Sequence, residues 1–134
     1  MDGEILQFFR QSSMWSDKWE KLILNLFENQ NGYLKIQPCV VKENEEIVSG
    51  CLLLSFDGLM TLFHLFTKPE KRNQGYAYKV ISKAIDIFKK SSDAQLLTAR
   101  TVEDYFVCDL FLSAGFKRAY LTKSKSPVIL WHKK

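Results

Sequence analysis

Two long apolar runs, Ile47–Phe56 and Leu59–Thr67, meet at Asp57-Gly58, and this junction constrains the fold more than any other feature of the chain. Asp-Gly between strand-like runs is the dipeptide of a two-residue hairpin turn, because both central residues of such a turn need positive φ. The two runs are therefore expected to be antiparallel neighbours. The second is apolar at nearly every position, which is the pattern of a strand covered on both faces. Tyr33–Val41, set apart from Ile47 by the charged turn Glu43-Asn44-Glu45-Glu46, reads as a third strand of the same meander. Pro38 assigns it an edge position or a bulge.

Helical periodicity frames these strands. Glu4–Gln11 carries Ile5, Leu6, Phe8 and Phe9. After the capping residues Ser16 and Asp17, Trp19, Leu22, Ile23, Leu26 and Phe27 recur at i, i+3, i+4, i+7 and i+8, one apolar stripe. Asn29-Gln30-Asn31-Gly32 stops it. Beyond Pro69 a polar stretch from Glu70 to Gly75 leads into a helix with Ala77, Ile81, Ala84, Ile85 and Phe88 inward. Lys79, Lys83, Lys89 and Lys90 lie on or near its wet side.

Gln95–Arg100 is a short strand after that helical crossover, which predicts that it runs parallel to Leu59–Thr67. Glu103–Ser113 reads as a helix with Phe106, Val107, Leu110 and Phe111 inward and Gly115 as its stop. Lys117–Lys123 and Val128–His132 form a last hairpin across Ser124-Lys125-Ser126-Pro127. The order ααβββαβαββ predicts an α/β fold in which a mixed, mostly antiparallel sheet carries helices on both faces. A chain of 134 residues suits a single domain spanning 1–134.

Charge is unevenly shared. Residues 1–58 hold five Lys/Arg against nine Asp/Glu, a net −4, and residues 59–134 hold fourteen against six, a net +8; the halves sum to the overall +4. A basic C-terminal half favours a polyanionic partner, either nucleic acid or a phosphate-bearing small molecule. The chain lacks an aromatic-basic interleaved strand or a helix-turn-helix pattern, which argues against nucleic acid. No run reaches the ~18–20 apolar residues of a membrane span, and Met1-Asp2-Gly3-Glu4 does not open a signal-type segment. Cys39, Cys51 and Cys108 lack any Cys-x-x-Cys spacing and read as reduced thiols, so a cytoplasmic location is expected, with no membrane partner and no metal.

The segment that carries chemistry is Thr67-Lys68-Pro69-Glu70-Lys71-Arg72-Asn73-Gln74-Gly75-Tyr76-Ala77: a strand end, a short loop and a helix start. The first turn of a helix presents unpaired N–H groups and about half a positive charge. Gly75 lets an anion approach the main chain, Ala77 keeps the helix close to the sheet, and Lys71 and Arg72 add cations. These are the parts of a pyrophosphate cradle.

Arg72-x-x-Gly75-x-Ala77 after Thr67-x-Pro69 resembles the acyl-CoA motif of the GNAT superfamily of N-acetyltransferases. Asp104-x-x-Val107-x-x-Leu110-Phe111-x-x-x-Gly115-Phe116 is similar to that family's second motif, Asn-x-x-Ala-x-x-Leu-Tyr-x-x-x-Gly-Phe, and Glu46-Ile47-Val48-Ser49-Gly50 resembles part of its central hairpin. The resemblance spans roughly residues 33–132 and implies a small acyltransferase that uses acetyl-CoA as acyl donor. It implies that the main chain of Leu65 and Thr67 pairs with the pantetheine arm where the strands Leu59–Thr67 and Gln95–Arg100 part. It also implies coenzyme contacts from Leu65, Phe66, Thr67, Lys71, Arg72, Asn73, Gln74, Gly75, Tyr76 and Ala77. The acceptor would be an amine of a small molecule or peptide.

This chain departs from the pattern in two respects. Where the family often has a Tyr to protonate the leaving thiolate, it has Phe111, which has no proton to give; Tyr105 is an alternative donor on the same helix. The resemblance places the usual base positions at Thr61 and Phe63. His64 is the strand's imidazole, but strict alternation sends it to the opposite face, and only a bulge would bring it back. Catalytic residues are therefore left unassigned, and a catalytically idle acyl-CoA-binding module stands as the alternative function. The family's first strand is replaced by helices. The edge at Tyr33–Val41 is expected to be covered by those helices, by a partner chain as in a homodimer, or by Pro38 and flanking charge alone. Phe8, Phe9, Trp15, Trp19, Tyr120 and Trp131 are candidate walls for the acceptor.

Overall fold

The computed structural model describes residues 1–101, 106–119 and 128–134. Two helices come first, α1 (Gly3–Arg10) and α2 (Asp17–Glu28). Asp2 caps α1, its Oδ1 accepting from the Glu4 N–H at 2.7 Å, and Ser16 caps α2 through the Trp19 N–H at 3.1 Å. Then follow β1 (Leu34–Glu43), β2 (Glu46–Phe56) and β3 (Leu59–Thr67), a 3-10 turn at Pro69–Lys71, and α3 (Tyr76–Lys90). The chain continues through β4 (Leu96–Thr101), α4 (Phe106–Ser113), β5 (Lys117–Ala119) and β6 (Val128–Lys133). Residues 103–105 of the expected fourth helix and 120–127 of the last hairpin lie outside the described residues.

The strands form one mixed sheet in the order β1-β2-β3-β4-β6-β5. β3 and β4 run parallel and the other neighbours antiparallel, as the order of elements predicts. Both tight turns of the meander have positive φ at two successive residues: Asn44 and Glu45 at 52° and 69°, Asp57 and Gly58 at 50° and 83°. This is the conformation that matches the twist of a two-residue hairpin.

Helices cover both faces. On one side α3 and α4 bury Val80, Ile81, Ala84, Ile85, Phe88, Cys108 and Phe111 against Cys39, Cys51, Leu53, Met60, Leu62, Leu97, Ala99 and Leu130 of the sheet. On the other, α1 and α2 bury Phe8, Phe9 and Ile23 against Ile36, Ile47, Leu52 and Phe66. Two stripe residues are not inward: Leu22 is 51% and Phe106 54% exposed. Leu22 falls at the rim of the α2 stripe, and Phe106 of α4 faces a cleft.

β1 is a sheet edge, and the N-terminal helices sit on the face of the sheet instead of along that edge. Side chains blunt it: the Ile36 N–H donates to Gln30 Oε1 at 3.0 Å, and Lys83 Nζ donates to the Val40 carbonyl at 2.7 Å. Pro38 pairs in register with Leu52, so it marks the edge; the irregularity in β1 falls later, between Val41 and Lys42. No helix among the described residues is long and apolar enough to cross a membrane.

Candidate functional site

β3 and β4 pair from Leu59↔Leu96 to Leu62↔Ala99 and no further. Beyond that point β3 stays with β2, ending at Ser49↔Thr67, while β4 stays with β6 as far as Thr101↔Val128. The two halves of the sheet therefore part like a wedge. A cleft of about 410 Å³ opens at the parting, lined by Leu65, Phe66, Thr67, Lys71, Arg72, Asn73, Gly75, Tyr76, Ala77, Tyr78, Phe106, Val107 and Leu110. Nine residues predicted from the acyl-CoA motif converge here. The tenth, Gln74, lies in the same loop, its side chain donating to the Glu70 carbonyl at 3.3 Å.

The floor at one end is the start of α3. Asn73 and Gly75 adopt left-handed backbones, φ 63° and 83°, and Gly75 is the N-cap. No side chain caps this helix. Among the described residues, the N–H groups from Asn73 to Tyr78 have no hydrogen-bond partner. The first acidic residue of α3 is Asp86, so the positive end of the helix dipole has no side-chain counter-charge in its first turn.

Arg72 folds back over the strand end, its Nε donating to the Thr67 carbonyl at 3.2 Å with the guanidinium 6.0 Å from the Phe66 ring centre. Lys71 pairs with Glu43 at 3.1 Å, and the Tyr76 hydroxyl donates to the same carboxylate. Lys68, buried, donates to Glu46 and holds that carboxyl below its ordinary range. Ser49 Oγ lies 2.7 Å from Thr67 Oγ1 and ties the end of β3 to β2.

The bulge that would reverse the side of His64 is present. Gly50 pairs with Phe66 but Leu52 pairs with Phe63, so β3 carries one extra residue there, and His64 takes φ 54°. Its imidazole consequently faces α1 and α2, packed edge-on to Phe9 and Trp15 and stacked on Trp19. Phe63 meets Trp19 on this same side. Burial pushes the His64 pKa below its usual value, so the ring is neutral near pH 7, and Nε2 is buried without a partner among the described residues. Thr61 Oγ1 lies 3.1 Å from Thr98 Oγ1, bridging β3 and β4 just before they part.

Phe111, where the second motif has Tyr, is 2% exposed and packs edge-on to Phe116 with ring centres 5.0 Å apart. It is absent from the cleft wall, which α4 builds from Phe106, Val107 and Leu110. Tyr105 and Tyr120 lie outside the described residues. Of the other aromatic candidates, Phe8 and Phe9 are core, while Trp131 sits on β6 under the Lys117 ammonium, 5.4 Å from the ring centre. Sequence reasoning did not assign the wall residues Tyr78, Phe106, Val107 and Leu110 to the site, and it read Glu43 only as part of a charged turn.

No curated protein matches the chain by sequence. Solved structures match its fold. The PaiA N-acetyltransferase of Thermoplasma acidophilum, solved in complex with coenzyme A, aligns with TM-score 0.69 at 17% identity over 90% of this chain and 81% of that one. A GNAT-family protein from Desulfovibrio desulfuricans gives 0.71 at 11% identity over 98% and 92%. A tandem GNAT protein of the clavulanic acid biosynthesis pathway gives 0.60 at 18% identity over 72% of this chain, and the chain spans only 33% of its length. At these identities the likeness speaks for the fold. The sequence itself matches the family profile described as "Acetyltransferase (GNAT) family" over residues 4–116. A sheet parted between its parallel strands, with unpaired helix-start amides at the mouth and a profile covering most of the sequence, leads to one assignment: the chain belongs to the GNAT acetyltransferase family.

Proposed function

We propose that this chain moves an acetyl group from acetyl-CoA to a primary amine of a small molecule or peptide, an acyltransferase of EC 2.3.1 type, with residues 1–134 acting as one acyl-CoA-binding domain. The observation that carries the reading is the wedge between β3 and β4 ending on the unpartnered amides of Asn73–Tyr78. An extended pantetheine arm suits the free edge of β3 at Leu65–Thr67, and a diphosphate suits the amides and cations of Lys71–Ala77. Phe66 supplies apolar wall at the turn between them. The Arg72 guanidinium, resting on the Thr67 carbonyl, is placed to swing to phosphate and release that carbonyl to the arm.

The chemistry asks little of side chains. A neutral amine attacks the thioester carbonyl, the C–N bond forms, and the C–S bond breaks with departure of a thiolate; the ammonium proton passes to solvent or a base. Holding both reactants in one ternary complex supplies much of the rate, and a main-chain N–H beside β3 serves the developing oxyanion. The free, buried thiols Cys39, Cys51 and Cys108 support a reducing, cytoplasmic setting.

A second reading, a module that binds acyl-CoA without turnover, is favoured by Phe111, whose ring occupies the acid's place in the motif. Calorimetry with acetyl-CoA, followed by thiol release in the presence of a panel of primary amines, separates the two. Saturable binding with amine-dependent release supports the enzyme, binding without release supports the module, and absence of binding removes both.

A further inference from the structure

The acidic stretch Glu43-Asn44-Glu45-Glu46 has no part in the coenzyme motif, yet it grips the loop that forms the cradle. Glu43, the last residue of β1, accepts from Lys71 Nζ at 3.1 Å and from the Tyr76 hydroxyl. Glu46, the first residue of β2, accepts from the buried Lys68. Lys71 and Tyr76 line the cleft, whereas Glu43 and Glu46 do not. One carboxylate outside the cleft thus holds both ends of Arg72–Gly75.

That segment needs holding. It contains two left-handed residues, one of them not glycine, and its amides from Asn73 on make no hydrogen bonds among the described residues. Backbone in sparsely populated conformations persists only where its surroundings over-determine it. The loop's other ties are local: the Arg72 side chain to the Thr67 carbonyl, Gln74 to the Glu70 carbonyl, and the Lys71 and Arg72 N–H groups to the carbonyls of Lys68 and Pro69. Glu43 and Glu46 connect it to the first hairpin of the sheet. A lone carboxylate beside an anion site would repel the anion, but the Lys71 ammonium at 3.1 Å offsets the Glu43 charge, so its contribution is geometric.

We infer that Glu43 is a positioning residue for the coenzyme: it grips Lys71 and Tyr76 from outside the cleft and so holds Arg72–Gly75 in the shape that receives a diphosphate. This rests on the acyl-CoA reading above. The test is calorimetry with CoA on the wild-type chain, Glu43→Ala, Glu43→Gln and Tyr76→Phe, with Tm measured on each. Glu43→Ala is expected to weaken CoA binding about tenfold, the scale of one lost charge-assisted hydrogen bond. Its Tm should stay within about 2 °C of wild type, because surface ion pairs contribute little to stability. Glu43→Gln, which still accepts a hydrogen bond, recovers most of the affinity, and Tyr76→Phe, which loses one tie, falls in between. Unchanged or tighter CoA binding by Glu43→Ala overturns the inference. So does a loss of affinity that merely follows a fall of several degrees in Tm while Tyr76→Phe binds like wild type. Failure of the wild-type chain to bind CoA removes the acyl-CoA reading and this inference with it, whereas normal binding by wild type and Glu43→Ala alike removes the inference alone.

Discussion

The imidazole of His64 stands edge-on to the indole of Trp15, ring centres 4.9 Å apart and planes at 81°. Burial in this packing pushes its pKa below the ordinary value near 6.5, so the ring is neutral near pH 7. The unfolded chain therefore binds more protons at His64 just below pH 6.5. Stability is unaffected by this group above that pH and falls as pH drops through the depressed folded value. His64→Asn, which tolerates φ 54° and does not titrate, is expected to flatten the fall in urea midpoint between pH 7.5 and 5. An unchanged slope in the variant would show that His64 is not the group responsible.

Gly75 and Gly50 test two different reasons for glycine. At Gly75 an added Cβ meets no atom within 4 Å, but φ is 83°. Gly75→Ala is expected to cost about 1–2 kcal/mol of backbone strain, seen as a lower urea midpoint at unchanged m. Relief of that strain would shift the amides at the start of α3, so CoA affinity should fall with it.

At Gly50 the backbone is ordinary and the space is not. A Cβ there would sit 2.9 Å from Val40 Cγ1, 3.2 Å from the Cys39 carbonyl and 3.3 Å from Phe8 Cε2. The carbonyl belongs to the paired strand β1 and cannot rotate away. Gly50→Ala should therefore destabilise by about 1–3 kcal/mol through overpacking while leaving CoA affinity intact. A neutral result in chemical denaturation would show that α1 yields at Phe8.

Cys39 and Cys51 face each other across β1 and β2, both buried, and Cys108 is on the buried side of α4. The hydrogen bond from Cys51 lowers the Cys39 pKa, while burial pushes Cys51 up. Access governs reaction here, since a thiolate must meet its reagent. The native chain is expected to leave all three thiols unlabelled by an aromatic disulfide reagent over minutes, and to label all three in guanidinium. A fast native thiol would point to local opening of the β1–β2 hairpin.

Much of this architecture is legible in the residues. Asp57-Gly58 fixes the central hairpin, the Trp19–Phe27 stripe fixes α2, and the crossover after α3 fixes the parallel sense of β4. The motif from Thr67 to Ala77 gathers on one cleft because strand end, loop and helix start are contiguous in sequence, so local geometry suffices to bring them together. What was not legible depends on distant parts. The bulge at His64 leaves no mark in an apolar run, since alternation shows only where polar residues break it. The grip of Glu43 on Lys71 and Tyr76 spans 28 and 33 residues and depends on how far the first hairpin twists. The inward reading of Phe106 failed because an apolar helix residue can line an open cleft and still belong to the apolar stripe.

The parting of β3 from β4 bears on how this sheet comes apart. Its two three-stranded halves are welded by main-chain pairing only from Leu59↔Leu96 to Leu62↔Ala99, and the Thr61–Thr98 contact sits inside that weld. A seam so short is the natural place for sub-global opening. Any extended ligand that bonds to both lips would act as a staple across the seam, adding main-chain ties to the shared core beneath α3 and α4 that already joins the two halves.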